Sequence, residues 1–292
     1  MGKIIDMLGE IESVKGFFGA VSVSEILTMI IFAAGVVILV CWLVRNKVFS
    51  SLDSAPARVN KMHLHTPLIQ LFAWVVLISM TGYLVKERYG NPLSIQGQLA
   101  LYVGMLAVEL GMICSILVVA FSNFHGRLEG FGINYKTLPK DIGWGIVNYI
   151  AAMPLVLISI WIVVHVGKAY VGGDFELPKN ESLELLTEIS VGFKILVIFS
   201  AAFVVPVFEE LLFRGLIQST LRTHLRSSWL AIILTSLVFV AMHGIWLHWL
   251  PLMALSVCMG YAYEKSGSIL RSICIHVIFN SVSITGALLG SN

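Results

Sequence analysis

Charge is scarce in this chain: only 12% of its 292 residues are Asp, Glu, Lys or Arg. A soluble domain carries roughly 25%, so an ordinary soluble globule is excluded. Cysteine is scarce as well. The four present, Cys41, Cys114, Cys258 and Cys274, all lie inside apolar stretches, and no Cys-x-x-Cys pair occurs. They read as small core residues rather than a disulfide framework or a zinc ribbon. There is no His-Glu-x-x-His, so the zincin helix is absent. The formal net charge of +2 gives no argument for a nucleic-acid partner. Alternating segments of about ten residues, the mark of a membrane β-barrel, are missing. The N-terminus lacks a basic stretch running straight into an apolar one with a small-residue cleavage site, so no removable signal peptide is expected. No repeat period and no low-complexity segment is visible.

What the chain does have is apolar length. It is 58% hydrophobic, and runs of about 20 residues recur, each enough to cross a bilayer as a helix. Backbone groups in lipid must be satisfied within their own segment, which favours helices. The expected fold is therefore all-α, a polytopic transmembrane helical bundle with a polar intramembrane cavity. Spans are expected near 26–44, 67–85, 99–122, 142–166, 191–221, 229–247, 250–264 and 270–289, about eight in all. Residues 1–25 form a polar or amphipathic lead-in, 26–122 an N-terminal group of helices, and 130–289 a C-terminal core. The 191–221 run is too long for one untilted span, and Pro206 inside it predicts a break or kink. Lys and Arg concentrate in the loops at 45–66, 123–141, 222–228 and 264–271, while 167–190 is mainly acidic. By the positive-inside rule this places the N-terminus and the acidic loop outside.

Against that background a few polar groups stand out. Glu209, Glu210 and Arg214 sit among apolar residues in Pro206-Val-Phe-Glu-Glu-Leu-Leu-Phe-Arg-Gly215. Ionisable groups at membrane depth are costly and mark functional sites. Glu210 and Arg214 are spaced i, i+4, so they meet on one helix face as an ion pair. Glu209 is left over, facing another neighbour, as a carboxylate suited to general-base work. His243 follows Phe239 at i+4, and His276 and Asn280 share a face in the last span. A carboxylate, two imidazoles and an amide can activate water and stabilise an oxyanion. The same groups can serve as Glu and His ligands to zinc. Glu109, in the middle of the third span, reads as a structural residue paired with another helix or bordering a cavity.

Taken in order, these motifs resemble the CAAX protease and bacteriocin-processing family, also called Abi. That family's pattern is EExxxR, FxxxH and HxxxN. Here it reads Glu209-Glu210-Leu-Leu-Phe-Arg214, Phe239-Val-Ala-Met-His243 and His276-Val-Ile-Phe-Asn280. Pro206, Gly215 and the run Tyr263-Glu-Lys-Ser-Gly-Ser also look like the family. The resemblance covers about 130–289 and implies a membrane-embedded peptidase that trims prenylated CAAX proteins or other peptide or lipidated substrates. Carried over by motif position, Glu209 is the base, helped by His243. His276 and Asn280 form the oxyanion hole, and Glu210 with Arg214 supports them. The resemblance favours a glutamate mechanism without a metal cofactor, with zinc as the alternative.

A non-proteolytic family member, acting in bacteriocin immunity, as a scaffold or as a sensor, is the second reading; a transporter is the third, without an inverted repeat to support it. A bacterial inner membrane is the expected location, with the endoplasmic reticulum as the alternative. Substrate identity and oligomeric state are not legible. One difficulty is geometric. At 1.5 Å per residue, Glu209 would stand roughly 20 Å and His243 roughly 22 Å from their loops, but His276 only about 8 Å from Arg271. Straight spanning rods would keep them apart. Tilted, broken or short helices, with Pro206, Pro251 and Gly260 as candidate breaks, are therefore expected to bring Glu209 within about 10 Å of His243 or His276.

Overall fold

The computed structural model describes residues 23–45, 52, 55, 60–91, 93–124, 128–175, 177 and 190–290. The expected lead-in at 1–25 and most of the acidic loop lie outside the described residues. Nine helices run through the rest: α1 Val23–Arg45, α2 His65–Tyr89, α3 Ile95–Asn123, α4 Leu128–Phe131, α5 Leu138–Val171, α6 Val191–Leu225, α7 Ser228–Ala241, α8 Trp249–Ser266 and α9 Ile269–Gly290. No strand occurs among the described residues. Six helices (α1, α2, α3, α5, α6 and α9) are long and apolar enough to cross a membrane, the fourth of these spans covering Tyr135–Val171. They make the chain an integral membrane protein. The expectation of about eight spans is corrected at α7, a shorter apolar helix of 14 residues, and at α8, which is not among the six.

Local chemistry sets the ends of these helices. Ser94 opens α3 by accepting from the Gly97 amide at 3.2 Å, and Ser227 opens α7 by accepting from Leu230 at 3.4 Å. Gly267 closes α8 in a left-handed conformation, φ 77°, with its N–H on the Tyr263 carbonyl.

At the centre of the bundle lies α6. Every residue from Phe208 to Thr220 is buried, as expected of a helix surrounded on all sides. It packs against α2, α3, α7, α8 and α9, while α5 holds α1, α8 and α9 on the outside. Gly215 lets α6 reach α4: a Cβ there would lie inside the Phe131 ring. By contrast, α1 and α2 bury almost none of their residues fully, which suits lipid contact.

The break or kink expected at Pro206 is met by a change of winding rather than by an end of the helix. Helix α6 runs through it, but changes winding on both sides: Ser200–Val204 and Leu211–Gln218 are π-helical, with Val205–Glu210 α-helical between them. A π segment shifts the hydrogen-bond register and so absorbs the amide that proline lacks. Nor does α8 break. Pro251 sits in its first turn, where proline is tolerated, and the helix passes through Gly260 unbroken.

Candidate active site

Helix α6 supplies two carboxylates and a guanidinium at the middle of the bundle. Arg214 is fully buried and donates from Nη1 to Glu210 Oε1 at 2.7 Å. From Nη2 it donates to the Ser256 hydroxyl at 2.7 Å and the Ser256 carbonyl at 3.2 Å. Its guanidinium stands 4.8 Å from the centroid of the Phe239 ring, within cation–π range. One side chain thus joins α6 to α7 and α8. The i, i+4 ion pair expected from the spacing is present.

Helix α9 brings His276 to the same place. Its Nδ1 lies 2.9 Å from Glu210 Oε1, and its Nε2 lies 3.6 Å from Glu209 Oε2. The first is a hydrogen bond; the second is a charge-pair distance. A neutral imidazole donates from one nitrogen only. Nδ1 is the nitrogen that makes the hydrogen bond to Glu210, with Nε2 turned toward Glu209.

His243 stands off the end of its helix rather than inside a span. Helix α7 stops at Ala241, and His243 occupies the turn that follows. Its Nδ1 faces the Phe239 carbonyl at 2.8 Å. A carbonyl only accepts, so Nδ1 carries a hydrogen, and in the neutral ring the lone pair is then on Nε2. The Phe239 carbonyl, in the last turn of α7, also accepts from the Met242 amide at 3.3 Å, so the imidazole supplements a long backbone bond at the helix end. The turn is pinned again by the Trp249 indole, which donates to the His243 carbonyl at 2.9 Å. No hydrogen bond joins His243 to Glu209 among the described residues.

Phe239 links the two histidines. It is fully buried, with its ring centroid 4.5 Å from that of His243 and 5.9 Å from that of His276. It also meets Phe213 edge-on at 5.1 Å.

Asn280, one turn beyond His276, points elsewhere. Its Nδ2 donates to the Ala201 carbonyl at 3.0 Å. That carbonyl sits in the first π segment. The Val205 amide is spent on the Ser200 carbonyl, and the next residue, Pro206, has no amide. Asn280 supplies the missing donor, while its second N–H makes no hydrogen bond among the described residues. His276 and Asn280 share a face as expected, but His276 serves the carboxylates and Asn280 the backbone.

Residues 191–282 match the family model described as Rce1-like, type II CAAX prenyl endopeptidase. This segment is an Rce1-like domain. It spans α6, α7, α8 and most of α9, and it contains Glu209, Glu210, Arg214, His243, His276 and Asn280. Helices α1 to α5 lie outside the Rce1-like match. An "Uncharacterized 24.3 kDa protein" of Escherichia coli is similar to this chain, 28% identical over 145 residues that cover 44% of this chain and 67% of that protein. No solved structure matches.

A zinc ion in the Rce1-like domain would need lone pairs aimed at a common point. His276 turns both ring nitrogens toward carboxylate oxygens, and Glu210 Oε1 is already held by Arg214. Among the described residues no group of three or more His, Cys, Asp or Glu side chains is placed to hold a metal ion. The residues as placed do not fit zinc. Two participants escaped the sequence reading. Ser256 is one of several small polar residues in α8, with nothing local to mark it. Phe239 was visible as part of FxxxH, but its role as the wall between two imidazoles was not.

Proposed function

We propose that this chain is an intramembrane endopeptidase that hydrolyses a peptide bond of a prenylated, CAAX-type, or other membrane-associated peptide by glutamate-activated water. The observation that carries this reading is the placement of His276 between Glu209 and Glu210 inside an Rce1-like domain, with Arg214 balancing one of the two carboxylates.

In this reading Glu209 takes a proton from water, and the oxygen attacks the scissile carbonyl. Glu209 is free for the task because Arg214 is spent on Glu210. His243 assists through Nε2, its Nδ1 being held by Phe239. The tetrahedral oxyanion is stabilised by the second Asn280 N–H and by His276, when that ring carries its proton on the side of the substrate. Each such donor is worth about 10²–10³ in rate. The proton on Glu209 then passes to the amine nitrogen as the C–N bond breaks. Broken or irregular helices at membrane depth are tolerated where they line a protein cavity, and the π segments and the His243 turn are taken to line a polar one. A bacterial cell membrane is the proposed location, supported by the Escherichia coli relative.

The test is cleavage of a prenylated CAAX-type peptide by the purified chain in detergent, with Glu209→Ala and His243→Ala beside wild type and with a chelator arm. Cleavage by wild type alone, undiminished by chelation, is the expected result. Full activity in either variant overturns the assignment of roles. A deletion phenotype that Glu209→Ala complements overturns the peptidase reading in favour of a scaffold or immunity protein.

A further inference from the structure

Of the residues that form the candidate site, His243 alone stands outside a helix. Two of its tethers run back into α7. Its amide donates to the Val240 carbonyl at 3.0 Å, and its Nδ1 donates to the Phe239 carbonyl at 2.8 Å. The third tether comes from the far side of the loop. Trp249 is the first residue of α8, and its indole N–H donates to the His243 carbonyl at 2.9 Å. That bond closes residues 243–249 onto themselves and ties the catalytic turn to α8.

Without Trp249 the turn is held from one side only. The Met242 amide stands 3.2 Å and 3.3 Å from the Val238 and Phe239 carbonyls, at the long end of the hydrogen-bond range. Gly244 follows His243 at once, with open space where a Cβ would stand, so nothing packs against that side of the chain. Helix ends fray when they are held only by their own last bonds, and His243 would leave with the turn. Tryptophan has an ordinary use in membrane proteins, as an amphipathic ring at the membrane–water boundary. Trp246 fits that use: it is 71% exposed, and its indole makes no hydrogen bond among the described residues. Trp249 does not fit it, because its N–H is turned inward and spent on the peptide of His243.

We propose that Trp249 is a positioning residue for the reaction: its indole N–H latches the His243 peptide to α8 and so keeps His243 Nε2 where it can assist the water that Glu209 activates. The inference rests on the peptidase reading. The two side-chain bonds divide the work. The Phe239 carbonyl decides which ring nitrogen is free, and Trp249 decides where that nitrogen stands. Placement of this kind matters to rate, since a displacement of about 1 Å costs about a hundredfold. The latch touches neither substrate nor water, so its loss lowers turnover and leaves substrate binding alone.

Three full-length proteins test this in detergent: wild type, Trp249→Phe and Trp246→Phe. Trp249→Phe keeps an aromatic ring and loses the N–H; Trp246→Phe makes the same change in the same loop where no bond is lost. Each is measured for cleavage kinetics with the prenylated peptide, for melting temperature, and for amide hydrogen exchange in peptides covering 240–246. For Trp249→Phe the expected result is a fall of about ten- to a hundredfold in kcat, an unchanged KM, an unchanged melting temperature, and exchange at Met242 and His243 faster by roughly fivefold or more. Trp246→Phe should match wild type in all of these. Full kcat in Trp249→Phe overturns the proposal, as does an equal fall in Trp246→Phe, a fall that follows a lowered melting temperature, or a fall without faster exchange. If wild type cleaves nothing, the peptidase reading fails, and the exchange arm still decides the latch. Faster exchange confined to Trp249→Phe sustains it, and equal exchange in all three proteins removes it.

Discussion

His276 Nδ1 and Arg214 Nη1 converge on one oxygen, Oε1 of Glu210, at 2.9 Å and 2.7 Å. The second oxygen of that carboxylate is buried without a partner. Glu210 therefore acts as a post to which α9 and its own helix are both tied, and the tie leaves Nε2 of His276 turned toward Glu209. His276→Ala removes the link and leaves Glu209 and Glu210 facing each other without it. The expected outcome is a loss of about 10²–10⁴ in kcat, measured with the prenylated peptide in detergent. His276→Gln, which can still donate to Glu210, should keep more of the fold than of the activity.

Arg214 and Glu210 should behave as a unit in stability. Arg214→Met strands a buried carboxylate, and removing one partner of such a pair costs about 3–5 kcal/mol. Adding Glu210→Gln removes the stranded charge. The double variant should therefore melt above the Arg214→Met single, by thermal unfolding in one detergent. A double variant less stable than the single by the full cost of Glu210→Gln alone would show that the two side chains are energetically independent.

Phe239 should matter to both fold and chemistry. Its ring packs on Phe213, Arg214 and both histidines. Phe239→Ala is expected to cost about 3–5 kcal/mol through the cavity it leaves. Phe239→Leu fills much of the volume without a π face. It should recover most of the melting temperature while cleavage stays low, because neither histidine would have its flat wall.

Gly215 is a test of close approach. A methyl at this position meets the Phe131 ring head-on, so Gly215→Ala should destabilise by about 1–3 kcal/mol. Shortening the ring should relieve it. In Gly215→Ala combined with Phe131→Leu, a melting temperature above that of Gly215→Ala alone is the expected result.

The membrane helices were legible because an apolar run of about 20 residues has few other uses. The spans read near 67–85 and 99–122 correspond to His65–Tyr89 and Ile95–Asn123. The end of α7 was not legible. Apolar side chains continue past it through Met242, Ile245 and Leu247, and hydropathy does not register where a helix stops bonding. The π segments were hidden for a related reason: one extra residue per turn changes the register but not the composition. Proline was read for the bond it removes, when the fold had already rearranged around that loss.

The candidate site was legible as a set and not as a network. Ordered motifs placed six residues in one Rce1-like segment, and i, i+4 spacing paired Glu210 with Arg214. Spacing within a helix is silent about neighbours across the bundle. It could not show that His276 reaches the carboxylates while Asn280 turns to Ala201. Those relationships exist only once α6 and α9 are side by side.

The order of the chain gives the Glu210–His276 contact a meaning for biogenesis. Arg214 lies one turn from Glu210 on the same helix, so α6 can enter the bilayer with that charge already balanced. His276 belongs to α9, the last helix described, and is synthesised about 60 residues later. Until α9 inserts, Glu209 has no imidazole beside it and the Ala201 carbonyl has no asparagine. The cluster of Glu209, Glu210 and His276 therefore closes only once α9 has docked on α6.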